Sequence, residues 1–309
     1  VACAGVGFAC HAEYNAGPQQ LLTPIPDGVS FEEAACVALG AIAMQGVRQT
    51  QPTFGETVIV MGLGLVGQLT VQILQAAGCR AIGSDPIASK RELALSLGAT
   101  AVCPPAELSS TANEWTAGYG ADAVIICASS KDSGLANEAL DLCRQKGRVT
   151  VVGAVGMQLA RESLYNKEID FRLSCSYGPG RYNTAYEEKG FDYPIGYVRW
   201  TEGRNMSEFL RMISEGKVNV KPLISVVKPV EQADQAYSVI LDAGTDTISA
   251  LISYAAPDTV SEALPERRLV LRASGPPSDR VGVAVIGAGG FASAFHLPNT
   301  AKMPGASLE

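Results

Sequence analysis

The sequence lacks any apolar run of the roughly 20 residues that a membrane helix requires. The longest apolar run in the chain extends only from Ala34 to Met44. Hydrophobic residues make up 47% of the 309 residues and charged residues 18%, a balance typical of a globular protein with a large core. We therefore expect a soluble protein with no membrane partner and with enough chain for two domains.

Clustered positive charge is also missing. The chain has 24 Lys and Arg against 31 Asp and Glu, which gives a formal net charge of −7, and the basic residues are scattered. A phosphate backbone is bound mainly through a concentrated positive field. No nucleic-acid partner is therefore expected.

No Cys-x-x-Cys pair is present, although the chain has eight cysteines. Several of them, such as Cys127, stand in apolar stretches, where a reduced thiol behaves as a small hydrophobic group. This usage favours a reducing, cytoplasmic location. The chain starts Val1-Ala2-Cys3, with no initiator Met and no signal-like segment, so we interpret its start as a cut end without a targeting signal.

From Glu56 onward, short β-branched runs alternate with amphipathic stretches. The predicted strands are 57–61, 80–84, 101–103, 122–127, 148–152 and 171–174. The predicted helices are 65–77, 87–97, 133–144 and 206–215. Such alternation indicates βαβ units, and hence an α/β fold with a doubly wound, six-stranded parallel Rossmann sheet.

The flanking segments have a different character. A small-residue helix is expected after Ser30, which forms a capping box with Glu33. After Lys221-Pro222, the pattern predicts, in chain order, a strand, a helix and a strand at 224–227, 230–242 and 248–253. These segments indicate a return to another domain.

The glycine-rich sequence Gly62-Leu63-Gly64-Leu65-Val66-Gly67 directly follows a predicted strand and opens a helix. That context is what a dinucleotide-binding fingerprint requires. Gly62 permits a tight turn, Gly64 lets the backbone approach a pyrophosphate, and Gly67 allows close packing of the helix. The alternative is a tight βα turn that binds nothing.

Asp85 ends the second strand of this region, about 20 residues after the first glycine, where an acid binds the adenosine ribose hydroxyls. A carboxylate there repels a 2′-phosphate, so NAD(H) is favoured over NADP(H). Lys90 is a candidate for the same ribose, with a solvated helix-face lysine as the alternative. Further candidate cofactor contacts are Cys127, Ala128, Gly153 and Ala154, which end or follow two predicted strands.

Residues 1–255 resemble the medium-chain, zinc-type alcohol dehydrogenases. The motifs that carry the resemblance are Ala12-Glu13-Tyr14, Ile25 to Ala35, Gly62 to Gly67, Leu97-Gly98-Ala99, Lys146 to Val149 and Ser249 to Tyr254. The resemblance implies that residues 1–45 are the C-terminal part of a GroES-like β domain, that 46–222 bind NAD, and that 223–255 return to the catalytic domain. Most of that catalytic domain would then lie upstream of this sequence.

The final residues give a second nucleotide-type start. A strand predicted at 281–286 runs into Gly287-Ala288-Gly289-Gly290, after a linker predicted at 256–280. With His296-Leu297-Pro298, it resembles the opening of Gfo/Idh/MocA oxidoreductases, cut off within 281–309. Bacterial proteins that join the two families occur among polysaccharide genes, and Gly287 and Gly289 are candidate contacts.

Zinc is not expected in this sequence despite the resemblance. The family's ligand before the nucleotide domain aligns near Val37-Ala38, which cannot coordinate a metal. Cys36 and His11 have no spaced partners, so we interpret Cys36 as a core thiol and His11 as a satisfied or exposed histidine, with metal ligation as the alternative.

A loop rich in Gly and Pro follows the sixth strand, at the edge of the sheet where ligands bind in open α/β folds. The resemblance implies that Arg181 pairs with the cofactor pyrophosphate and that Tyr177 lines the substrate cleft. A surface turn with a solvated arginine is the alternative. The next stretch, 186–200, is a candidate substrate lid or dimer contact.

Two functional hypotheses follow. The first is an NAD(H)-dependent dehydrogenase that transfers hydride to or from the hydroxyl or ketone of a small alcohol or sugar-type substrate. The second is an NAD-binding scaffold without turnover inside a larger oxidoreductase. The resemblance also implies a homodimer that pairs through the edge of the sixth strand. The sequence identifies no catalytic residue.

Overall fold

The computed structural model describes residues 1–242, 246–254 and 279–308. The chain divides into two compact units, Val1–Ala255 and Ala256–Glu309. The predicted linker at 256–280 lies outside the described residues, except for its last two positions. No helix within the described ranges combines the length and the apolar character that a bilayer-spanning segment needs.

A six-stranded parallel sheet forms the centre of the first unit. Its strands are β3 (Thr57–Met61), β4 (Arg80–Ser84), β5 (Ala101–Cys103), β6 (Ala121–Ile126), β7 (Cys143–Val151) and β8 (Asp170–Leu173). Their spatial order is β5-β4-β3-β6-β7-β8. The predicted doubly wound Rossmann sheet is confirmed. The order reverses between β3 and β6, where such sheets bind ligands.

Helices cover both faces of this sheet. They are α2 (Val37–Thr50), α3 (Leu65–Ala76), α4 (Ala88–Ser96), α5 (Leu108–Trp115), α6 (Gly134–Leu142), α7 (Arg161–Asn166), α8 (Thr184–Glu187) and α9 (Glu202–Ser214). Successive strand residues point to opposite faces. Val58 and Val60 therefore join one buried cluster, while Ile59 and Met61 join the other. All four are at most 3% exposed, which explains the continuous apolar run of β3.

The junction of α6 and β7 differs from the sequence prediction. The helix ends at Leu142 rather than at residue 144, and β7 already begins at Cys143. Cys143 pairs with Ala121 at the start of β6, and the register then shifts before Ala123. Pairing with β6 thus overrides the helical pattern of residues 143 and 144, because tertiary contacts outweigh local propensity.

The segments that flank the sheet form small elements of their own. β1 (Ala2–Cys3) and β2 (Leu22–Thr23) pair antiparallel, and β9 (Val226–Pro229) pairs in parallel with β10 (Ala250–Ser253). The predicted strand at 224–227 is therefore shifted by two residues. Between these strands, α10 (Ala233–Leu241) follows a short 3₁₀ turn.

A short helix, α1 (Phe31–Ala34), precedes α2. The predicted capping box is confirmed, since Ser30 Oγ accepts from the Glu33 backbone N–H and the Glu33 carboxylate accepts from the Ser30 N–H. Helix α2 crosses residues 45 and 46, the expected domain boundary, and packs against α3 and α9. The N-terminal segment is thus continuous with the nucleotide-binding layers.

Strand β8 lies at the edge of the sheet and pairs with β7 alone among the described strands. This confirms the predicted edge position. Leu173 is 56% exposed on it. The Ser174 N–H donates to Val151, so the neighbouring N–H of Leu173 points away from β7 along the free edge.

In the second unit, β11 (Val281–Val283) pairs in parallel with β12 (Ala306–Leu308). A π-helical turn, Ala292–His296, leads into α11 (Leu297–Ala301) between them. Strand β11 ends three residues earlier than predicted because β12 offers only three paired positions. Gly287 adopts a φ of +83°, the left-handed conformation that the predicted tight turn requires.

The packing of α2 on α9 depends on a missing side chain at Gly40. A Cβ atom there would lie 2.3 Å from the Phe209 ring. We expect Gly40→Ala to cost about 1–3 kcal/mol through overpacking. Thermal unfolding followed by circular dichroism would show a lower melting temperature.

Gly196→Ala is the matched control, because a Cβ at Gly196 would meet no atom within 4 Å. Equal melting temperatures for the two variants would contradict this account of the interface between α2 and α9.

Candidate functional site

The glycine-rich turn joins the end of β3 to the start of α3. Gly62 has a φ of +93°, and a Cβ on Gly67 would lie 1.9 Å from the Gly62 carbonyl oxygen. A Cβ on Gly64 would meet nothing within 4 Å. Gly62 and Gly67 are thus required by the turn itself, whereas the space at Gly64 leaves the backbone open to a ligand.

The N-terminus of α3 points polar hydrogens at this space. The first N–H groups of an α-helix, here those of Leu65, Val66 and Gly67, have no acceptor within the helix, and the helix dipole adds positive potential. Such an end binds phosphate oxygens. The turn therefore fits the pyrophosphate of a dinucleotide.

Asp85 follows β4 beside the turn and is 7% exposed. Its carboxylate accepts from the Leu63 N–H at 2.8 Å and from the Ile87 N–H at 2.9 Å. Each carboxylate oxygen has a second lone pair, so the group can still accept ribose hydroxyls. The Leu63 side chain is fully buried and its N–H is occupied, so among the predicted contacts Leu63 supports the site instead of facing a ligand.

Lys90 lies in the first turn of α4. Its carbonyl accepts from the Gln68 side-chain amide at 2.7 Å, and the same amide donates to the Leu63 carbonyl at 3.1 Å. Nearby, the Ser89 hydroxyl donates to Asp246 of the returning segment at 2.5 Å. These bonds fix the start of α4 beside the glycine-rich turn.

The ends of β6 and β7 complete this edge of the sheet. The N–H groups of Cys127 and Ala128 both donate to the Met61 carbonyl, at 2.8 and 3.0 Å. A Cβ on Gly153 would lie 1.9 Å from the Ala128 carbonyl oxygen, and the Ala154 carbonyl accepts from Ser130. The structure thus brings all four predicted residues together beside Gly62. Burial raises the pKa of the Cys127 thiol to about 12, which disfavours the thiolate form.

A cleft of about 990 Å³ opens at this turn. Its lining includes the turn residues 64–67 and Cys127, together with side chains from α1, α10 and β10. Cys36 also lines it, and burial raises the pKa of its thiol to about 11. The cleft is therefore lined by the glycine-rich turn and by the chain segments that precede and follow the Rossmann sheet in the sequence.

Arg181 is not among the described residues that line this cleft. Its guanidinium donates to Glu187 at 2.6 Å and lies 4.1 Å from the centre of the Tyr182 ring. Tyr177 is 6% exposed and likewise does not line the cleft. In this conformation the Glu187 carboxylate, six residues away, pairs with the Arg181 guanidinium. The pairing of Arg181 with a pyrophosphate stays a prediction.

The loop beyond Arg181 is held by stacking and by a buried network. Trp200 lies between the guanidinium groups of Arg48 and Arg199, at 3.4 and 3.8 Å from its ring centre. Asn205 on α9 accepts from Arg48 and donates to the Tyr177 carbonyl at 2.9 Å. The 174–200 segment is thus fixed onto α2 and α9.

Glu202 is a buried acid that the sequence analysis missed. It begins α9, is fully buried, and neither carboxyl oxygen has a hydrogen-bond partner among the described residues. Burial and then the nearby Glu187 carboxylate raise its pKa to about 8, although Arg181 opposes the shift. At neutral pH this carboxyl is protonated. In the sequence, Glu202 is recognisable only as an acid in the first turn of a helix capped by Thr201, and that position predicts an exposed side chain.

The residues present do not fit a metal ion. No group of three or more His, Cys, Asp or Glu side chains within the described part of the chain could hold one. Ala38 cannot coordinate a metal, and the His11 Nε2 lies 2.7 Å from the Tyr237 hydroxyl. No step of the chemistry is therefore assigned to zinc.

Comparison with known families gives a match over part of the sheet. Residues 66–189 match the family model described as zinc-binding dehydrogenase. The matched segment is thus similar to zinc-binding dehydrogenases. It covers the chain from the first turn of α3 through β8 and the loop that follows.

Curated relatives extend the similarity beyond that segment. The chain is 29% identical over 237 residues to D-guloside 3-dehydrogenase of Escherichia coli (strain K12), covering 74% of this chain and 63% of that protein. It is 28% identical to "Probable D-xylulose reductase A" of Aspergillus terreus, covering 74% of this chain and 60% of the relative. The chain thus spans less than two thirds of the length of these relatives.

Solved structures show the same fold. A crystal structure of ECK1772 from Escherichia coli, an oxidoreductase/dehydrogenase of unknown specificity, aligns with a TM-score of 0.63 at 20% identity and covers 75% of this chain and 60% of that one. The alcohol dehydrogenase TADH from Thermus sp. ATN1 aligns with a TM-score of 0.59 at 22% identity, covering 75% and 62%. The fold is that of medium-chain alcohol dehydrogenases.

The raised pKa of Glu202 makes stability depend on pH. The native carboxyl keeps its proton up to pH about 8, whereas the unfolded one loses it near 4.5, so native stability falls as the pH rises through this window. The Glu202→Gln variant stays neutral at every pH. We therefore expect the difference in stability between this variant and the wild type to grow in favour of the variant as the pH rises from 5 to 9. Each kcal/mol gained would raise the melting temperature by about 2–4 °C.

Melting curves of both proteins at several pH values would measure the difference. Glu188→Gln is the control, because Glu188 is exposed at the end of α8. A constant difference between the Glu202→Gln variant and the wild type across this range would show that Glu202 is not protonated in the native state.

Proposed function

We propose that this chain is the cofactor-binding part of an NAD(H)-dependent oxidoreductase that acts on the hydroxyl or ketone of an alcohol or sugar-type substrate. The observation that carries the proposal is the buried Asp85 carboxylate, bonded to Leu63 inside the glycine-rich turn. The relatives support the reaction class, since those described above are a guloside dehydrogenase and a xylulose reductase.

Two structural neighbours support the cofactor class. One is a zinc-binding dehydrogenase from Sinorhizobium meliloti bound to NADP, and another is the rspB dehydrogenase from Escherichia coli complexed with NADH. When bound, a nicotinamide cofactor accepts or donates the hydride. The residues of this chain would bind and orient it. The N-terminus of α3 would hold the phosphates, and Asp85 would accept hydrogen bonds from the ribose hydroxyls.

A scaffold that binds NAD without turnover is the second candidate. It is favoured by Ala38, which occupies the position of a metal ligand in the resemblance and packs against the apolar core. We propose that the chain holds no stoichiometric zinc in either case, because the buried Cys36 thiol has no second ligand among the described residues.

We further propose that the second unit begins a Gfo/Idh/MocA-type domain, as the resemblance implies. The parallel pairing of β11 with β12 and the positive φ of Gly287 support this assignment. The parent protein would then join two oxidoreductase domains, with a role in polysaccharide biosynthesis.

The proposed cofactor preference can be tested by binding alone. We expect NADH to bind more tightly than NADPH by about tenfold or more, a difference of about 1.4 kcal/mol. The cause is the Asp85 carboxylate, which would face the 2′-phosphate of NADPH. Fluorescence titration of the whole chain gives both dissociation constants.

Asp85→Ala should reduce this ratio toward one, because both the hydrogen bonds to the ribose and the repulsion disappear. Asp141→Ala is the control, since Asp141 lies exposed on α6. If the wild type binds neither cofactor, or prefers NADPH, the proposed function is wrong.

We propose that β8 pairs with its symmetry mate to form a homodimer. Pairing would satisfy the free N–H and C=O groups of an otherwise open edge. Leu173→Pro should give a monomer in light scattering because it removes the outward N–H, whereas Leu173→Ala keeps this donor and should stay dimeric. A wild-type monomer at micromolar concentration would refute the dimer.

A further inference from the structure

A group of polar side chains lines the 990 Å³ cleft outside the glycine-rich turn. It consists of His11 and Glu13 from the N-terminal segment, Tyr237 from α10, and Tyr254 directly after β10. The N-terminal segment and the segment of α10 and β10, with His11 and Tyr237 separated by 226 positions, bring these groups into one cleft with the glycine-rich turn. We call this group the tyrosine cluster.

The tyrosine cluster contains one preformed pair. The His11 Nε2 and the Tyr237 hydroxyl lie 2.7 Å apart, and the two rings meet edge to face with centres 5.9 Å apart. Tyr237 is 51% exposed, so its ring and hydroxyl are accessible from the cleft. A hydroxyl that is bonded once can still accept or donate one further hydrogen bond.

Tyr254 supplies a second polar group, which lacks a partner. Its hydroxyl oxygen is buried and has no hydrogen-bond partner among the described residues. Burial, Glu13 and Tyr237 raise the pKa of this phenol, so it keeps its proton and remains a donor. An unsatisfied buried hydroxyl destabilises the folded protein. Because Tyr254 lines the cleft, a ligand hydroxyl that bonds to it after a shift of the covering atoms would remove that destabilisation.

The charge of the cleft selects among hydroxylated ligands. Its lining carries Glu13 and Glu32, and no Lys or Arg occurs among the described lining residues. The pKa of Glu32 is lowered by hydrogen bonds at the cap of α1, so this carboxylate stays ionised. Away from the N-terminus of α3, a phosphate or carboxylate on the substrate would meet the negative charge of Glu13 and Glu32, with no arginine or lysine to neutralise it.

We propose that the tyrosine cluster is the subsite for the substrate's hydroxyl groups, and that the cleft accepts uncharged polyols or sugars and rejects their phosphates and carboxylates. This inference rests on the proposed function, because the cofactor is taken to occupy the glycine-rich turn of the same cleft. It adds four residues and a substrate class to that function. The phenols and the imidazole supply hydrogen bonds to neutral hydroxyls.

Calorimetric titration of the NADH complex of the whole chain tests the inference. The probes are a panel of neutral hexitols and hexoses, each compared with its 6-phosphate and its carboxylate analogue. We expect at least one neutral compound to bind saturably, and its phosphate to bind at least about tenfold more weakly. Equal or tighter binding of the phosphates, or no binding of any neutral compound, would overturn the proposal.

Two conservative variants test the residues. Tyr237→Phe and Tyr254→Phe should each weaken binding of the neutral ligand by about three- to tenfold, the usual effect of one lost hydrogen bond. The NADH dissociation constant should stay unchanged. Tyr165→Phe is the control, because Tyr165 is exposed on α7 outside this cleft. Wild-type ligand affinity in both cluster variants would overturn the subsite.

Glu32→Gln tests the charge argument separately. It should narrow the difference between a neutral ligand and its phosphate, since one fixed negative charge is removed. An unchanged difference would show that the charge of the cleft does not select the ligand. Failure of the proposed function has a different signature, because the wild type would then bind no NADH in the first titration.

Discussion

The close approach of α3 to the end of β3 is the constraint on which the site depends. Any side chain at Gly67 would collide with the Gly62 carbonyl, so the helix can start directly above the strand only with glycine there. This proximity places the free N–H groups of the first turn at the edge of the sheet. It also brings the Leu63 N–H within 2.8 Å of the Asp85 carboxylate, which links the glycine-rich turn to the end of β4.

Local patterns in the sequence were sufficient to predict the sheet and the place of the glycine-rich turn and Asp85 at its edge. Strands β3, β4 and β5 have the predicted bounds, because alternating β-branched runs and helices are read within windows of a few residues. Gly62, Gly64 and Asp85 follow from the spacing of one motif. The start of β7 at Cys143 was not predictable in this way, since pairing with β6 decides it.

The remaining features depend on contacts between distant residues. The family resemblance placed Arg181 beside a pyrophosphate, whereas in this structure its guanidinium pairs with Glu187. Glu202 is buried by the loop folded over it, which no local pattern reveals. His11 and Tyr237 are separated by 226 positions, so only the tertiary fold brings them into the cleft. Sequence spacing therefore predicts the glycine-rich turn and Asp85 and misses residues such as His11 and Tyr237 that line the rest of the cleft.

The stacking of Trp200 between Arg48 and Arg199 gives the molecule an optical reporter. The chain has two tryptophans, and the other, Trp115, lies on α5, which packs beside β5. The two guanidinium groups lie 3.4 and 3.8 Å from the Trp200 ring centre, so their charge should shift its emission from that of a ring in water. Any separation of the 174–200 segment from α2 would move Arg48 off the ring. The unlabelled protein thus carries a fluorophore whose spectrum reports the conformation of one loop.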